Sequence, residues 1–375
     1  MRILKTGRPA VLVVSALLMV LSACSPPASD NATGSNAATA KSAADLGGVD
    51  KLVEAAKAEG QLNVIALPPD WANYGEIIKA FTAKYGIKVN SAQPDASSQD
   101  EINAAKQLKG QGGAPDVFDL GTAVALANTA VFAPYKVATW DDIPAALKDP
   151  NGTWVNDYGG YMSIGYDAAK VPAPANVADL LGSAYKGKVA LNGDPTQAGA
   201  AFSGVVMAAL GSGGSADDIS KGVDFFSQLK KAGNFLPVDP TPATIESGQT
   251  PVVLDWDYLN VGQGQKLVGK LDWKTVVPSN AVVGSYYVQA INVDAPHPAA
   301  ARLWQEFLYS DEGQNLWLKG GARPVRADAM KAAGTIDSMA FGALPAAAGT
   351  PVFLTEAQTQ AAKDYLAANW AKAIS

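Results

Sequence analysis

The chain holds 375 residues but only one cysteine, Cys24, and one histidine, His297. A lone thiol closes no intramolecular disulfide, and with one imidazole left a soft or borderline metal site of the usual composition cannot be assembled. A Ser-His-Asp arrangement fares no better, because His297 lies between Pro296 and Pro298 at a helix start, away from any nucleophile motif. Two partial phosphate loops occur, Gly182 with Gly187 and Lys188, and Gly264 with Gly269 and Lys270. Each lacks the Ser or Thr that must follow the lysine, having Val189 and Leu271 there. Clusters of Lys and Arg able to follow phosphates are also missing, which argues against a nucleic-acid partner. No internal repeat of fixed period is visible. What remains is 48% hydrophobic and 17% charged, a balance that suits a compact body rather than a disordered or fibrous one.

Nor is there an apolar stretch near the N-terminus long enough to span a bilayer. Ala10 to Ala23 carries no charge but falls short of the ~20 residues a spanning helix needs. Preceded by Arg2, Lys5 and Arg8, it reads as a signal peptide, and removing those three cations makes the formal charge of −6 more negative by three. Leu21, Ser22, Ala23 and Cys24 resemble the lipobox of bacterial lipoproteins, which implies lipidation of Cys24 and a membrane anchor. Residues 1–24 are thus expected to form a lipoprotein signal peptide. Residues 25–45, rich in Ser, Ala and Asn, are expected to form a flexible tether, because such a stretch buries too little apolar surface to offset its ordering entropy. The folded body is expected from about Leu46, and its ~330 residues exceed what one core usually supports.

Strand-like and helical segments alternate along that body. Strands are expected at Leu62–Leu67, Lys88–Asn90, Asp116–Leu120, Lys188–Leu191, Val252–Trp256 and Tyr286–Val293. Helices are expected at Asn73–Lys84, Glu101–Leu108, Ala198–Leu210, Asp217–Lys231 and Ala299–Tyr309. The alternation predicts an α/β protein with largely parallel sheets, and ligands of such sheets sit beyond the carboxyl ends of the strands. That rule singles out the loops 68–73, 121–123 (with Thr122), 192–197, 255–258 and 284–287.

Two stretches carry a family resemblance. "VADLLGSAYKGKVALNGDP" at 177–195 resembles the opening of the second lobe of extracellular solute-binding proteins of ABC importers. "APHPAAARLWQEFLYSDEGQNLWLKGGARPVR" at 295–326 resembles their helix pair and proline-containing loop. The resemblance implies a two-lobed fold of the periplasmic-binding-protein type (type II) with the ligand cleft between lobes. Lobe 1 would span 46–165, lobe 2 166–284, a return to lobe 1 285–326 and a C-terminal helical segment 327–375. It also implies a monomer in the cell envelope, on the periplasmic or extracellular face, delivering a small-molecule solute to an ABC permease, with no cofactor.

The polyamine-binding branch is similar at several points. Trp71 and Tyr74 match its Trp-x-x-Tyr, Asp194 falls where it places an acid, and Trp256 resembles its stacking tryptophan; Gln197 departs from it, standing where a second acid would be. Aromatic walls attract alkylammonium groups, although Trp71 and Tyr74 could equally pack around a helix start. Asp255 and Asp257 flank Trp256 at a strand end, and by alternation all three reach the cleft only if the chain turns there. Buried carboxylates need a partner, which a cationic solute would supply; capping the next helix is the plainer reading. Tyr286 and Tyr287 allow a phenolate site for ferric ion or simple hinge packing. Arg323 would suit a carboxylate or phosphonate, as in an aminophosphonate, or pair with a protein acid. The paired carboxylates leave room for hydrolase chemistry as the least favoured alternative.

Overall fold

The computed structural model describes residues 32–375. Cys24 and the signal segment lie outside the described residues. Helix α1 (Ala32–Thr39) already falls within the segment expected to be a tether. The chain from there to Leu46 packs on the body: Ala37, Ala40 and Ala43 are buried, and Arg302 donates to the carbonyls of Ala38 and Ala40. The physical reason is that small alanines sit flat on a helical surface where a guanidinium collects the freed carbonyls.

Lobe 1 begins with α2 (Val49–Glu59), β1 (Gln61–Ile65), α3 (Tyr74–Tyr85), β2 (Lys88–Ala92) and α4 (Ser98–Gln107). In α3, Tyr74, Ile77 and Phe81 form one buried stripe, and Gly86 ends the helix in the left-handed conformation that glycine adopts without a Cβ penalty. Then follow β3 (Val117–Gly121), α5 (Thr122–Leu126), β4 (Phe132–Ala133) and β5 (Val155–Asp167).

Strand β5 joins the lobes. Its first half, to Tyr161, pairs with β9 (Gly284–Asn292), and from Met162 onward it pairs with β7 (Val252–Trp256) and β8 (Trp273–Val276). The exchange of partners falls between Tyr161 and Met162. Lobe 2 contains β6 (Val189–Leu191), the almost wholly buried α6 (Gly199–Gly211), α7 (Ser220–Ala232), α8 (Pro242–Glu246) and α9 (Asp257–Lys266). After β9 the chain returns to lobe 1 through α10 (Pro298–Leu308), α11 (Asp311–Lys319) and β10 (Arg323–Pro324).

The sheets are less parallel than expected. Only β1 with β2 and β6 with β7 are parallel, while β3, β4, β5 and β10 meet their neighbours antiparallel. The two long strands that cross between lobes run in opposite directions, and every named strand that pairs with either does so antiparallel, which leaves the parallel pairs to strand pairs that include neither.

The expected C-terminal helical segment comprises α12 (Ala327–Ala333), α13 (Ser338–Gly342) and α14 (Glu356–Ile374). Between the last two, Val352 bridges to Val283 beside the start of β9. Thr359, Ala362, Leu366 and Trp370 form the buried stripe of α14, and Trp370 meets Phe226 of α7 edge-on at 5.2 Å. Lys363 reaches back to the carbonyl of Ala123 in lobe 1, so α14 touches both lobes. Among the described residues, no helix is long and apolar enough to cross a membrane.

Candidate functional site

Between the lobes the cleft is pinched where α5 meets α6. A Cβ built on Gly121 would lie 3.5 Å from the Cα of Gly199, and one on Gly199 would lie 3.5 Å from the hydroxyl of Tyr287. A methyl group at either place would already be in van der Waals contact across the pinch. Two chambers result, of about 700 Å³ on the Trp71 side and about 830 Å³ on the Arg323 side, with Gln197 to Gly199 and Tyr287 lining both.

The Trp71 chamber is framed by the loops after β1 and β2 in lobe 1 and by those after β6 and β7 in lobe 2. Ala66, Ala72, Asn73 and Gln93 hold positive φ there, the only described non-glycine residues to do so. Backbone held in that region by four L-residues is costly, and it concentrates beside the cleft. Asn73, at the N-cap of α3, makes no side-chain cap; its amide donates to the carbonyl of Leu316.

Trp71 is half-buried, edge-on to Tyr258 and Tyr287 at 6.2 and 5.5 Å. Its indole N–H donates to the Tyr158 hydroxyl at 2.7 Å, which in turn donates to Asp119 at 2.9 Å. Gln289 adds a donor to Asp119, and the carboxylate of Glu101 accepts the Asp119 backbone N–H at 3.0 Å. Both acids line the chamber, 6% and 1% exposed. Asp255 lines it from lobe 2, accepting from the Asn192 amide at 2.8 Å, and burial raises its carboxyl to about 7. Glu101 and Asp119 were not among the residues singled out from the sequence. Asp119 falls inside an apolar strand and Glu101 on a polar helix, so only the apposition of β3 and α4 shows that they share a wall.

The predicted residues divide among three settings. Trp71, Asp194, Asp255 and Tyr287 line the Trp71 chamber, with Asp194 exposed and one oxygen taken by Thr196 in a local turn. Thr122, Trp256, Tyr286, Tyr287 and Arg323 line the other chamber. There the Thr122 hydroxyl donates to the Tyr286 carbonyl, Tyr286 stacks on Phe353, and Trp256 is almost wholly buried with its ring parallel to Tyr258.

Tyr74 and Asp257 line neither. Tyr74 is fully buried between Trp317 and Tyr158, with Gln289 donating to its hydroxyl, so it is core rather than ligand wall. Asp257 is fully buried, ion-paired to Arg323 at 2.6 Å and accepting the N–H of Tyr161 at 3.0 Å. The turn that ends β7 and starts α9 swings it out of the alternation that would have placed it beside Asp255. Gly160 allows this, since a Cβ there would come within 2.4 Å of the Asp257 carboxylate. Tyr286 and Tyr287, adjacent in a regular strand, point to opposite faces, one toward Phe353 and the other toward Trp71. Among the described residues no group of three or more His, Cys, Asp or Glu is arranged to hold a metal ion.

Residues 114–340, more than half of the chain, match the family model of bacterial extracellular solute-binding proteins. No curated protein matches the sequence. Among solved structures, the fold is similar to that of AgtB from A. tumefacien R10 in complex with agropinic acid, with a TM-score of 0.65 at 15% identity over 84% of this chain and 98% of that one. It is similar to iron-bound HitA from Pseudomonas aeruginosa, with a TM-score of 0.59 at 21% identity over 82% and 97%. The spermidine/putrescine ABC transporter substrate-binding protein PotD from Streptococcus pneumoniae is a further neighbour, at 0.58 and 15% over 84% and 99%. The chain therefore belongs to the bacterial extracellular solute-binding proteins, and it shares the two-lobed fold of these solved neighbours.

Proposed function

We propose that this solute-binding protein captures a small cationic solute, polyamine-like in charge, in the Trp71 chamber and hands it to an ABC permease. One observation carries the reading. Apart from the rim pair Asp70 and Lys266, which bind each other across the cleft, the chamber is lined by Asp95, Glu101, Asp119, Asp194, Asp239 and Asp255 and by no basic residue. Three of these, Glu101, Asp119 and Asp255, are buried. Carboxylates withdrawn from water are unfavourable without a partner, and an ammonium group beside the Trp71 and Tyr287 rings supplies one. Arg323, which would favour an aminophosphonate, is held by Asp257 and by the carbonyl of Pro345, and the opposed faces of Tyr286 and Tyr287 do not offer two phenolates to one ferric ion. Nothing in this arrangement calls for catalysis.

The same proposal places the chain in the cell envelope as a monomer, anchored through Cys24 by the lipobox-like residues before it. Cys24→Ser should then abolish incorporation of labelled fatty acid; incorporation at the parent's level would refute the anchor.

Thermal-shift screening of the chain lacking residues 1–24 tests the solute class, with polyamines, aminophosphonates, amino acids, sugars and ferric citrate as the panel. A ligand at 100 times its dissociation constant adds about 2.7 kcal/mol of stability. Stabilisation by polyamines and by no anion is the expected result. Stabilisation only by an anion or a neutral sugar would overturn the cationic reading.

A further inference from the structure

The uncompensated acids of the Trp71 chamber continue below its wall. Behind Asp119 lies Asp157, fully buried, with one carboxylate oxygen that meets no hydrogen-bond partner. None of the ion pairs among the described residues involves Glu101, Asp119 or Asp157. The groups around them are acids and phenols: Asp100 on the same helix, Tyr74 from α3, Tyr158 from β5, Tyr287 from β9, Tyr258 from α9, Tyr309 after α10, with Asp255 and Asp257 across the cleft. The guanidinium of Arg323 is spent on Asp257.

Glu101 differs from its neighbours in one respect. Its Oε2 takes the Asp119 backbone N–H, whereas its Oε1 meets no protein donor and its side chain lines the chamber. A carboxyl on a buried side chain that lines a ligand cavity and has no cationic partner offers an acceptor to an entering ammonium N–H. Adjacent acids in a low-dielectric setting do not all ionise, because each charge raises the cost of the next. Burial and the neighbouring Asp119 charge push Glu101 up, and burial likewise pushes Asp119 and Asp157 up.

Resting on the cationic reading above and deepening it, we propose that Glu101 and Asp119 form the lobe-1 subsite of the chamber and bind an ammonium group in exchange for a proton. Before the solute enters, one of the two carboxyls carries a proton. The entering R–NH3+ donates N–H bonds to the pair, the carboxyl proton leaves to solvent, and the charge of the site is unchanged by the swap. Affinity for the cation therefore rises with pH, by up to about tenfold per unit while one proton is released. Asp255, with its own raised carboxyl in lobe 2, gives a second cationic centre its partner, so a diammonium solute engages both lobes.

Two measurements decide. Carboxyl-carbon NMR of the empty protein, labelled at Asp and Glu, should show a protonated carboxyl at pH 7 that is assigned to Glu101 or Asp119, with Asp119 ionising at lower pH in Glu101→Gln. Carboxyls of both residues fully ionised at pH 7 would overturn the exchange whatever the protein binds. Calorimetric titration with 1,4-diaminobutane at pH 7, in phosphate and in Tris, should show release of about one proton in the parent. Glu101→Gln should release none and bind at least tenfold more weakly. Binding of 1,4-diaminobutane with the same heat in both buffers refutes the exchange and leaves the cationic reading standing. A protonated empty pair in a protein that binds none of the polyamines refutes the cationic reading, and the ammonium subsite falls with it.

Discussion

The two chambers of the cleft share Tyr287 and the turn at Gln197–Gly199, yet they handle charge in opposite ways. On the Arg323 side both cations are tied to protein oxygen, Arg323 to Asp257 and the Pro345 carbonyl, Lys363 to the Ala123 carbonyl. On the Trp71 side the buried carboxylates are met by neutral donors alone, from Tyr158, Gln289, Asn192 and backbone N–H groups. A buried charge with an internal partner belongs to the architecture, because removing the partner strands it. A buried acid with no cation is satisfied fully only by something that arrives from outside. The two acids of the "DWD" segment, two positions apart, fall on either side of this division.

The largest effect should follow from breaking the internal pair. Arg323→Ala leaves the Asp257 carboxylate buried without its cation, which should cost about 3–5 kcal/mol of stability. Urea denaturation checks this. A loss below 1 kcal/mol would mean that Asp257 is relieved by protonation or water and that the pair is not structural. Asp257→Asn should correspondingly act on stability rather than on the affinity of the protein that remains folded.

Asp255→Asn should do the reverse. Deleting a carboxylate that meets a desolvated ammonium costs about 2–5 kcal/mol of binding, read by calorimetry with the cation identified in the screen. Stability without ligand should move the other way above neutral pH. The folded-state value is about 7, against roughly 3.9 when the chain is unfolded. The folded protein therefore keeps this proton through a window in which the unfolded chain has lost it. That contribution is complete below the unfolded value and is lost as pH rises through 7. At pH 8 the asparagine variant should be the more stable of the two when empty, by an amount on the order of 2–4 kcal/mol. Equal urea midpoints for parent and variant at pH 8, with binding also unchanged, would remove Asp255 from the site.

Local signals in the sequence reached the elements. The stripe at Tyr74, Ile77 and Phe81, the glycine at 86 and the apolar run at 252–256 each specify structure within a few residues. The fate of an individual side chain was harder. Asp257 looks like Asp255 until the helix start rotates it against Arg323, 66 positions away. Tyr74 looks like half of an aromatic wall until Trp317 and Tyr158 close over it. Glu101 and Asp119, 18 positions apart, gave no shared signal because their meeting depends on how α4 lies on the sheet edge. Such decisions are made by contacts between distant segments, whereas periodicity and capping report only what lies within a turn or two.

A smaller change separates stacking from charge within the Trp71 chamber. Trp71→Ala removes an aromatic face worth about 0.5–2 kcal/mol to a cation, together with the N–H donated to Tyr158. Calorimetry should show weaker binding than the parent but stronger than Asp255→Asn. A loss for Trp71→Ala greater than that for Asp255→Asn would make the solute aromatic or apolar before it is cationic.

The smallest effect is expected at Asp194, which lies in the same chamber and carries the same charge but stands in water. Its Oδ1 already accepts from the backbone N–H and the hydroxyl of Thr196 at 2.8 and 2.7 Å, so the side chain serves the turn that leads toward α6. A cation approaching it keeps most of its hydration, and the attraction is screened by salt over about 8–10 Å. Asp194→Asn retains a side-chain oxygen for the turn and removes only the charge, which at such a position should change affinity by about 0.5 kcal/mol or less. Repeating the titration at low and high ionic strength separates the cases, because a rim charge loses its influence as salt rises whereas a desolvated contact keeps it. A loss at Asp194→Asn as large as that at Asp255→Asn, and insensitive to salt, would mean that the solute is gripped at the mouth of the chamber, and the buried acids would then have to be explained without it.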